Sequence, residues 1–267
     1  MVVVDTHCHA SPAWYEPVEI LLDQMNRNGV DKAVIVQIRG WYDNAYPVEC
    51  MRRFPGRFSV VAVVDTDSPD ASERLEEWVE RGVEGVRLGP DVRSPGNDPL
   101  AIWRKAAELG ILVSSIGPVH GFASPGFESI VKELSSLKII IEHLGGVGGI
   151  QGGQDTTPPH ATFRKVLELA QYPSVYMKVP GLGEISPRAM PVRAPYPFED
   201  APPFIEMAID AFGAKRLMWG SDFPPVARRE GYRNALRLPM ERVGFKSQED
   251  KDWIFGETAA SLFRLGD

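Results

Sequence analysis

Short β-branched runs recur along this chain at an interval that leaves room for one helix each, and that rhythm restricts the fold more than any single motif does. The runs cover residues 2–4, 33–36, 60–64, 85–88, 111–113, 139–141, 175–177 and 217–219, and the first six begin 25 to 31 residues apart. That spacing suits one strand–helix unit. The stretches between them carry helical apolar spacing, clearest where Leu75, Trp78 and Val79 fall at i, i+3 and i+4. Ser68 before Pro69 reads as the N-cap of that helix and Gly82 as its stop. Asn28-Gly29, Leu109-Gly110 and Phe212-Gly213 mark other helix ends. Near-continuous apolar strands need helices over both faces of a parallel sheet. Eight such units in 267 residues predict a closed (β/α)8 barrel, an α/β TIM barrel forming a single domain over 1–267. A doubly wound open sheet is the alternative, but it normally uses fewer strands, and no glycine-rich dinucleotide fingerprint follows the first run.

Composition narrows the class of function. Acidic residues number 36 against 29 basic ones, a net charge of −7, which argues against nucleic acid or an anionic membrane as partner. Cys8 and Cys50 cannot build a disulfide framework, so a reducing cytoplasm is expected. The opening MVVVDTHCHA lacks the basic segment of a signal peptide, and no apolar run approaches the roughly 18 residues needed to span a bilayer. The glycine-dense stretch 145–153 lacks a P-loop lysine and reads as a flexible loop over the barrel mouth. The proline-rich stretch 180–203 reads as a lid.

In a closed barrel the reacting groups sit where strands end and βα loops begin. The first strand runs into Asp5-Thr6-His7-Cys8-His9, and alternation puts Asp5, His7 and His9 on one face with Cys8 packing behind. Imidazoles at i and i+2, about 7 Å apart along the strand, can share one divalent metal. His143 follows the sixth strand and Asp222 the eighth. Closure makes the first and eighth strands neighbours, which brings Asp222 beside His7 and His9. Neutral imidazoles would take a cation while the carboxylate takes a proton from water. Arg39, Arg87 and Lys178 end other strands and suggest a mouth that attracts an anion. The structural alternative pairs Arg39 and Arg87 with acids such as Asp5 or Glu142. Trp41, Tyr42 and Tyr46 follow the second strand and suit either a wall for a flat ring or loop packing. His160 reads as a surface residue.

The Asp5-Thr6-His7-Cys8-His9 opening, Glu142-His143-Leu144-Gly145 and Gly220-Ser221-Asp222-Phe223-Pro224 together resemble the amidohydrolase superfamily. More narrowly they look like its amidohydrolase-related branch of 2-pyrone-4,6-dicarboxylate lactonase, sugar-acid lactonases and non-oxidative decarboxylases of aromatic or muconic acids. Similar segments at 36–37, 53–58, 85–88 and 256–263 extend the resemblance over nearly the whole chain. It implies hydrolysis of a small, carboxylate-bearing cyclic ester or related acyl compound. Asp222 would be the base, His143 a third ligand or a carbonyl-polarising donor, and Arg39 and Arg87 the carboxylate anchors. Binuclear members carry Lys or Glu on strand four and His at the end of strand five. Here strand four offers Arg87, which does not deprotonate, and His120 lies three residues beyond Gly117, able to join only from a loop. The expectation is therefore one zinc or manganese on His7, His9 and Asp222, helped by His143 or His120, or a metal-free site. Decarboxylation is the second reading and needs a strand-five His at the metal; binding without turnover is the third. Substrate identity is not legible, and a homodimer is only a default.

Overall fold

The computed structural model describes residues 1–148, 155, 157–186, 198 and 201–266. Eight parallel strands lie in chain order in one sheet: β1 Val4–Cys8, β2 Lys32–Val36, β3 Phe58–Ala62, β4 Gly85–Leu88, β5 Leu112–Ser115, β6 Ile139–Ile141, β7 Val175–Val179 and β8 Leu217–Trp219. The ring closes beyond the last strand, where a parallel bridge joins Cys8 to Phe223. Asp222 N–H donates to the His7 carbonyl and His9 N–H to the Phe223 carbonyl, both at 2.8 Å. This is the predicted (β/α)8 barrel.

Alternation sorts the strand residues into two cores. Val4, Val34, Val36, Val61, Leu112, Ile140 and Met218 fill the barrel, floored by Ala259 and Phe263. Ala33, Ile35, Val86, Val113, Ile139 and Ile141 face the helices. Above the apolar filling, the same inward positions carry Arg87, Ser114 and Lys178, with Glu142 just past β6, and all four are buried. The barrel thus has a polar storey directly under its mouth.

Helix termini follow the glycine signals. Val18–Asn28 ends at Gly29, left-handed at φ 69°, and Phe204–Phe212 ends at Gly213. The helix carrying Leu75 and Trp78 starts two residues later than the Ser68-Pro69 signal suggests. It spans Ala71–Glu80, because Ser68 turns its hydroxyl to the Asp70 carboxylate at 2.5 Å instead of capping. The first strand also starts later than the valine run and includes the Asp-Thr-His-Cys segment. Among the described residues no helix is long and apolar enough to cross a membrane. Most of the expected glycine-rich mouth loop and proline-rich lid lies outside the described residues.

Candidate active site

His7, His9 and Asp222 meet at the mouth because β8 runs tight against β1. At Gly220 a Cβ would stand 2.6 Å from the His7 Cβ, so only glycine permits that approach. Beneath the join lies a staple. The buried Asp5 carboxylate accepts from Ser221 N–H (2.8 Å), Ser221 Oγ (2.6 Å), Tyr232 Oη (3.0 Å) and His7 N–H (3.1 Å). Burial pushes the Asp5 carboxyl up, and these four donors pull against it. Asp5 therefore turns toward the outer helix that bears Tyr232, away from the mouth, and does not share a face with both histidines as alternation predicts. A register irregularity between Asp5 and Cys8 breaks the alternation there. Cys8 faces the helices, as expected.

His7 Nε2 lies 3.9 Å and His9 Nε2 3.6 Å from Asp222 Oδ1. His9 Nδ1 sits 2.6 Å from the Val36 carbonyl, an acceptor, so this nitrogen carries the proton and Nε2 turns a lone pair toward the carboxylate. His143 packs its ring 4.4 Å from that of His7 and puts Nδ1 2.9 Å from Glu184 Oε1. Both His143 (φ 52°) and Asp222 (φ 57°) hold left-handed backbone, a conformation costing a side-chain-bearing residue about 1–3 kcal/mol and concentrated at functional sites. Asp222 Oδ2 accepts from Arg229 Nη1 at 3.0 Å. Arg229 also lies 3.4 Å from Glu184 and 3.5 Å from Glu230, tying the loops after β7 and β8 together.

Each group is tuned by its surroundings. Burial drives the His7 imidazole well below its ordinary value, with Lys178, His143 and His9 adding to the effect. Burial would raise Asp222, but its close neighbours His9, His143 and Arg229 bring it below the usual carboxylate value. For His143 burial works downward and is overcome by Glu184, with Asp222 and Glu142 beyond, so its imidazolium persists above the ordinary range. Glu142 is buried yet pulled down to about 2 by Arg87, Lys178 and His143. Burial lowers Lys178 to about 8, against the pull of Glu142.

Among the described residues, two sets of side chains bring metal-ligating atoms within 4.8 Å of one another: His7, His9 and Asp222, and His7, Glu142 and His143. The first is the better cradle. Its Asp222 oxygen faces a lone pair of His9 with no donor between, and His7 Nε2 is buried without a hydrogen-bond partner. Its donor separations of 3.6–3.9 Å are close to the roughly 3.4 Å that ligands 2.0–2.1 Å from a tetrahedral zinc would show. In the second set Glu142 is already engaged by Arg87 and Ser114. By donor type and spacing these residues fit one divalent ion.

The site opens into a cavity of about 400 Å³ whose walls include His9, Tyr15, Ile38, Arg39, Arg87, Ile116, His143, Asp222, Arg228 and Arg229, within the range of small-molecule sites. Tyr15, itself left-handed at φ 67°, stacks on His9 with ring centroids 5.4 Å apart. Thus the structure gathers His7, His9, His143, Asp222, Arg39 and Arg87. It does not bring Lys178, Trp41 or His120 to the cavity wall. Lys178 lies under His7, Trp41 is 41% exposed on the loop after β2, and His120 is exposed on the short helix Val119–Phe122. Arg87 forks onto Glu142, Nη2 at 2.8 Å and Nε at 3.1 and 3.2 Å, so the structural pairing with Glu142 holds even though Arg87 also reaches the cavity. His160 is buried against Phe204 and not on the surface, its Nδ1 2.6 Å from the Asp155 carbonyl. Sequence reasoning missed Tyr15, Glu184, Arg228 and Arg229. All lie in βα loops, and the adjacent arginines shortly after the Gly-Ser-Asp-Phe-Pro segment were the available signal.

A closed parallel barrel with imidazoles, a carboxylate and arginines around a cavity at its C-terminal mouth defines a barrel enzyme equipped to activate water. The amidohydrolase family model matches residues 4–265, and the chain belongs to that family. It is 27% identical over 229 residues to 4-sulfomuconolactone hydrolase of Rhizobium radiobacter, covering 84% of this chain and 70% of that protein. It is 28% identical over 222 residues to L-fucono-1,5-lactonase of Burkholderia ambifaria, covering 77% and 69%. The crystal structure of an amidohydrolase from Burkholderia multivorans with bound zinc superposes with a TM-score of 0.73 at 22% identity, covering 100% of both chains.

Proposed function

We propose that this hydrolase opens a small lactone that bears a carboxylate. The observation that carries the reading is Asp222 Oδ1 facing both His7 and His9 at the floor of a cavity walled by Arg39, Arg87, Arg228 and Arg229. The Rhizobium radiobacter and Burkholderia ambifaria relatives are both named for lactone hydrolysis, which supports it. Arg39 and Arg228, both on the cavity wall, anchor the substrate carboxylate. The His143 imidazolium polarises the lactone carbonyl. Asp222 takes a proton from the attacking water as its oxygen bonds to the carbonyl carbon. The tetrahedral adduct collapses by breaking the ring C–O bond, and Asp222 returns the proton to the departing alkoxide oxygen. A zinc or manganese ion on His7, His9 and Asp222 would act as a Lewis acid and lower the pKa of a bound water.

The decarboxylase reading asked for a strand-five histidine. β5 instead brings Ser114 to the interior, with His120 out on the surface, which favours hydrolysis. Two free, buried thiols suit a reducing cytoplasm. Asp222→Asn should retain the wild-type circular dichroism and thermal transition while ring opening of carboxylated lactones falls by about 10²- to 10⁴-fold. Turnover near wild type would remove Asp222 as the base. Equal kcat/KM for matched neutral and carboxylated lactones would remove the anionic substrate.

A further inference from the structure

The two histidines of the opening motif are held by different partners, and those partners dictate different tautomers. For His9 the Val36 carbonyl fixes the proton on Nδ1. For His7 the chain of bonds runs through the polar storey. Arg87 forks onto Glu142, a carboxylate able only to accept, and Glu142 takes the Ser114 hydroxyl proton at 2.7 Å. Ser114 has no second proton, so its oxygen accepts from Lys178 Nζ at 3.1 Å. An ammonium has donors and no acceptor, so toward His7 Nδ1, also at 3.1 Å, Lys178 can only donate. A ring nitrogen that accepts carries no proton.

We propose that Lys178 is a positioning residue that holds His7 with its proton on Nε2, so that His7 offers the cavity a hydrogen-bond donor where a metal would require a lone pair. His7 Nε2 lies 3.9 Å from Asp222 Oδ1, out of hydrogen-bond range, so Asp222 does not take up that proton. The pair is then divided by role. His9 and Asp222 present acceptors to water, whereas His7, beside His143, presents a donor to the carbonyl oxygen on which charge develops. The catalytic use of that donor rests on the lactonase reading; the tautomer does not. A cation on His7, His9 and Asp222 would need the Nε2 proton released and Nδ1 protonated, which costs Lys178 either a proton or its bond to the ring, so Lys178 weakens the site for cations.

Long-range proton–nitrogen spectra of the metal-stripped, histidine-labelled full chain read the tautomer without substrate, with the His7 signals assigned by their loss in His7→Asn. The expected result is a bare Nδ1 and a protonated Nε2. Zinc affinity, measured by competition with a chromophoric chelator, should be on the order of ten- to a hundredfold tighter in Lys178→Met than in wild type, the size of effect that partners of ligating histidines exert. A proton on Nδ1 in the wild type, or no gain in zinc affinity in the variant, overturns the proposal. If Lys178→Met loses its thermal transition, the wild-type spectrum decides alone. Failure of the lactone assays leaves both readouts intact, so the two readings fail separately.

Discussion

Asp222 and His143, the groups assigned to exchange a proton with water and to carry charge toward the carbonyl, are moved in opposite directions by their neighbours. Asp222 is lowered from 3.8 and His143 raised from 6.5. The base form of Asp222 therefore exists at every pH above the ordinary carboxylate range, and the imidazolium survives until pH climbs past the usual histidine value. The kcat/KM profile should be a plateau whose alkaline limb marks loss of the His143 proton. Glu184, 2.9 Å from His143 Nδ1, is the main group opposing burial. Glu184→Gln should shift that limb to lower pH and leave the acid limb in place, read from kcat/KM against pH for both proteins on one lactone. An unmoved limb would mean that Glu184 does not hold the charge. Glu184 was not legible in the sequence because it sits in the turn Leu182–Ile185, several residues beyond β7, where no periodicity fixes direction. His7, His9 and Asp222 were legible because strand ends and ring closure place them whatever the loops do.

At the scale of elements, the site is the seam where the barrel closes. β1 and β8 are joined past their ends by backbone hydrogen bonds at 2.8 Å, and the Asp5 staple locks Ser221 below while Asp222 turns left-handed above. Strand existence and order could be read from β-branched runs, since period-2 burial leaves a strong signature. The irregularity inside β1 could not, because it arises from pairing with β2 and from the reach of Asp5 to Tyr232. Lys178 shows the same limit. Alternation points it inward, but only the height of the polar storey tells that it lies beneath His7 and not on the rim. Gly220 tests the seam. A methyl group there meets the His7 Cβ at 2.6 Å, a main-chain-anchored atom with no rotamer to yield. Gly220→Ala should lower stability by about 1–3 kcal/mol by overpacking. It should also reduce kcat/KM by on the order of a hundredfold, as His7 and Asp222 move apart. Urea unfolding and steady-state kinetics measure the two, and wild-type values in both would show that the seam tolerates the spacing.

For the molecule as a whole, stability has to absorb a barrel interior whose upper storey is ionic. Arg87, Lys178 and Glu142 are all buried there, and one carboxylate answers two cations. Glu142 is held at about 2 in the fold against 4.5 ordinarily. Its folded value is depressed, so its contribution is complete above the unfolded value and is lost as pH falls from about 4.5 toward 2. Asp222 acts in the same sense, while Asp5, raised by burial, acts in the opposite one and favours the fold as acid protonates it. The total pH dependence thus mixes both signs, and a wild-type curve alone does not isolate the storey. The difference between wild type and Glu142→Gln does. At neutral pH the variant leaves Arg87 and Lys178 without their counter-charge and should be less stable by about 3–5 kcal/mol, the cost of breaking a buried pair from one side. As pH drops through the carboxylate range the wild type protonates the same group the variant lacks, so the two urea midpoints should converge. A gap that stays constant from neutral pH down to the acid transition would show that Glu142 is held by packing and neutral hydrogen bonds, and that the ionic account of this storey is wrong.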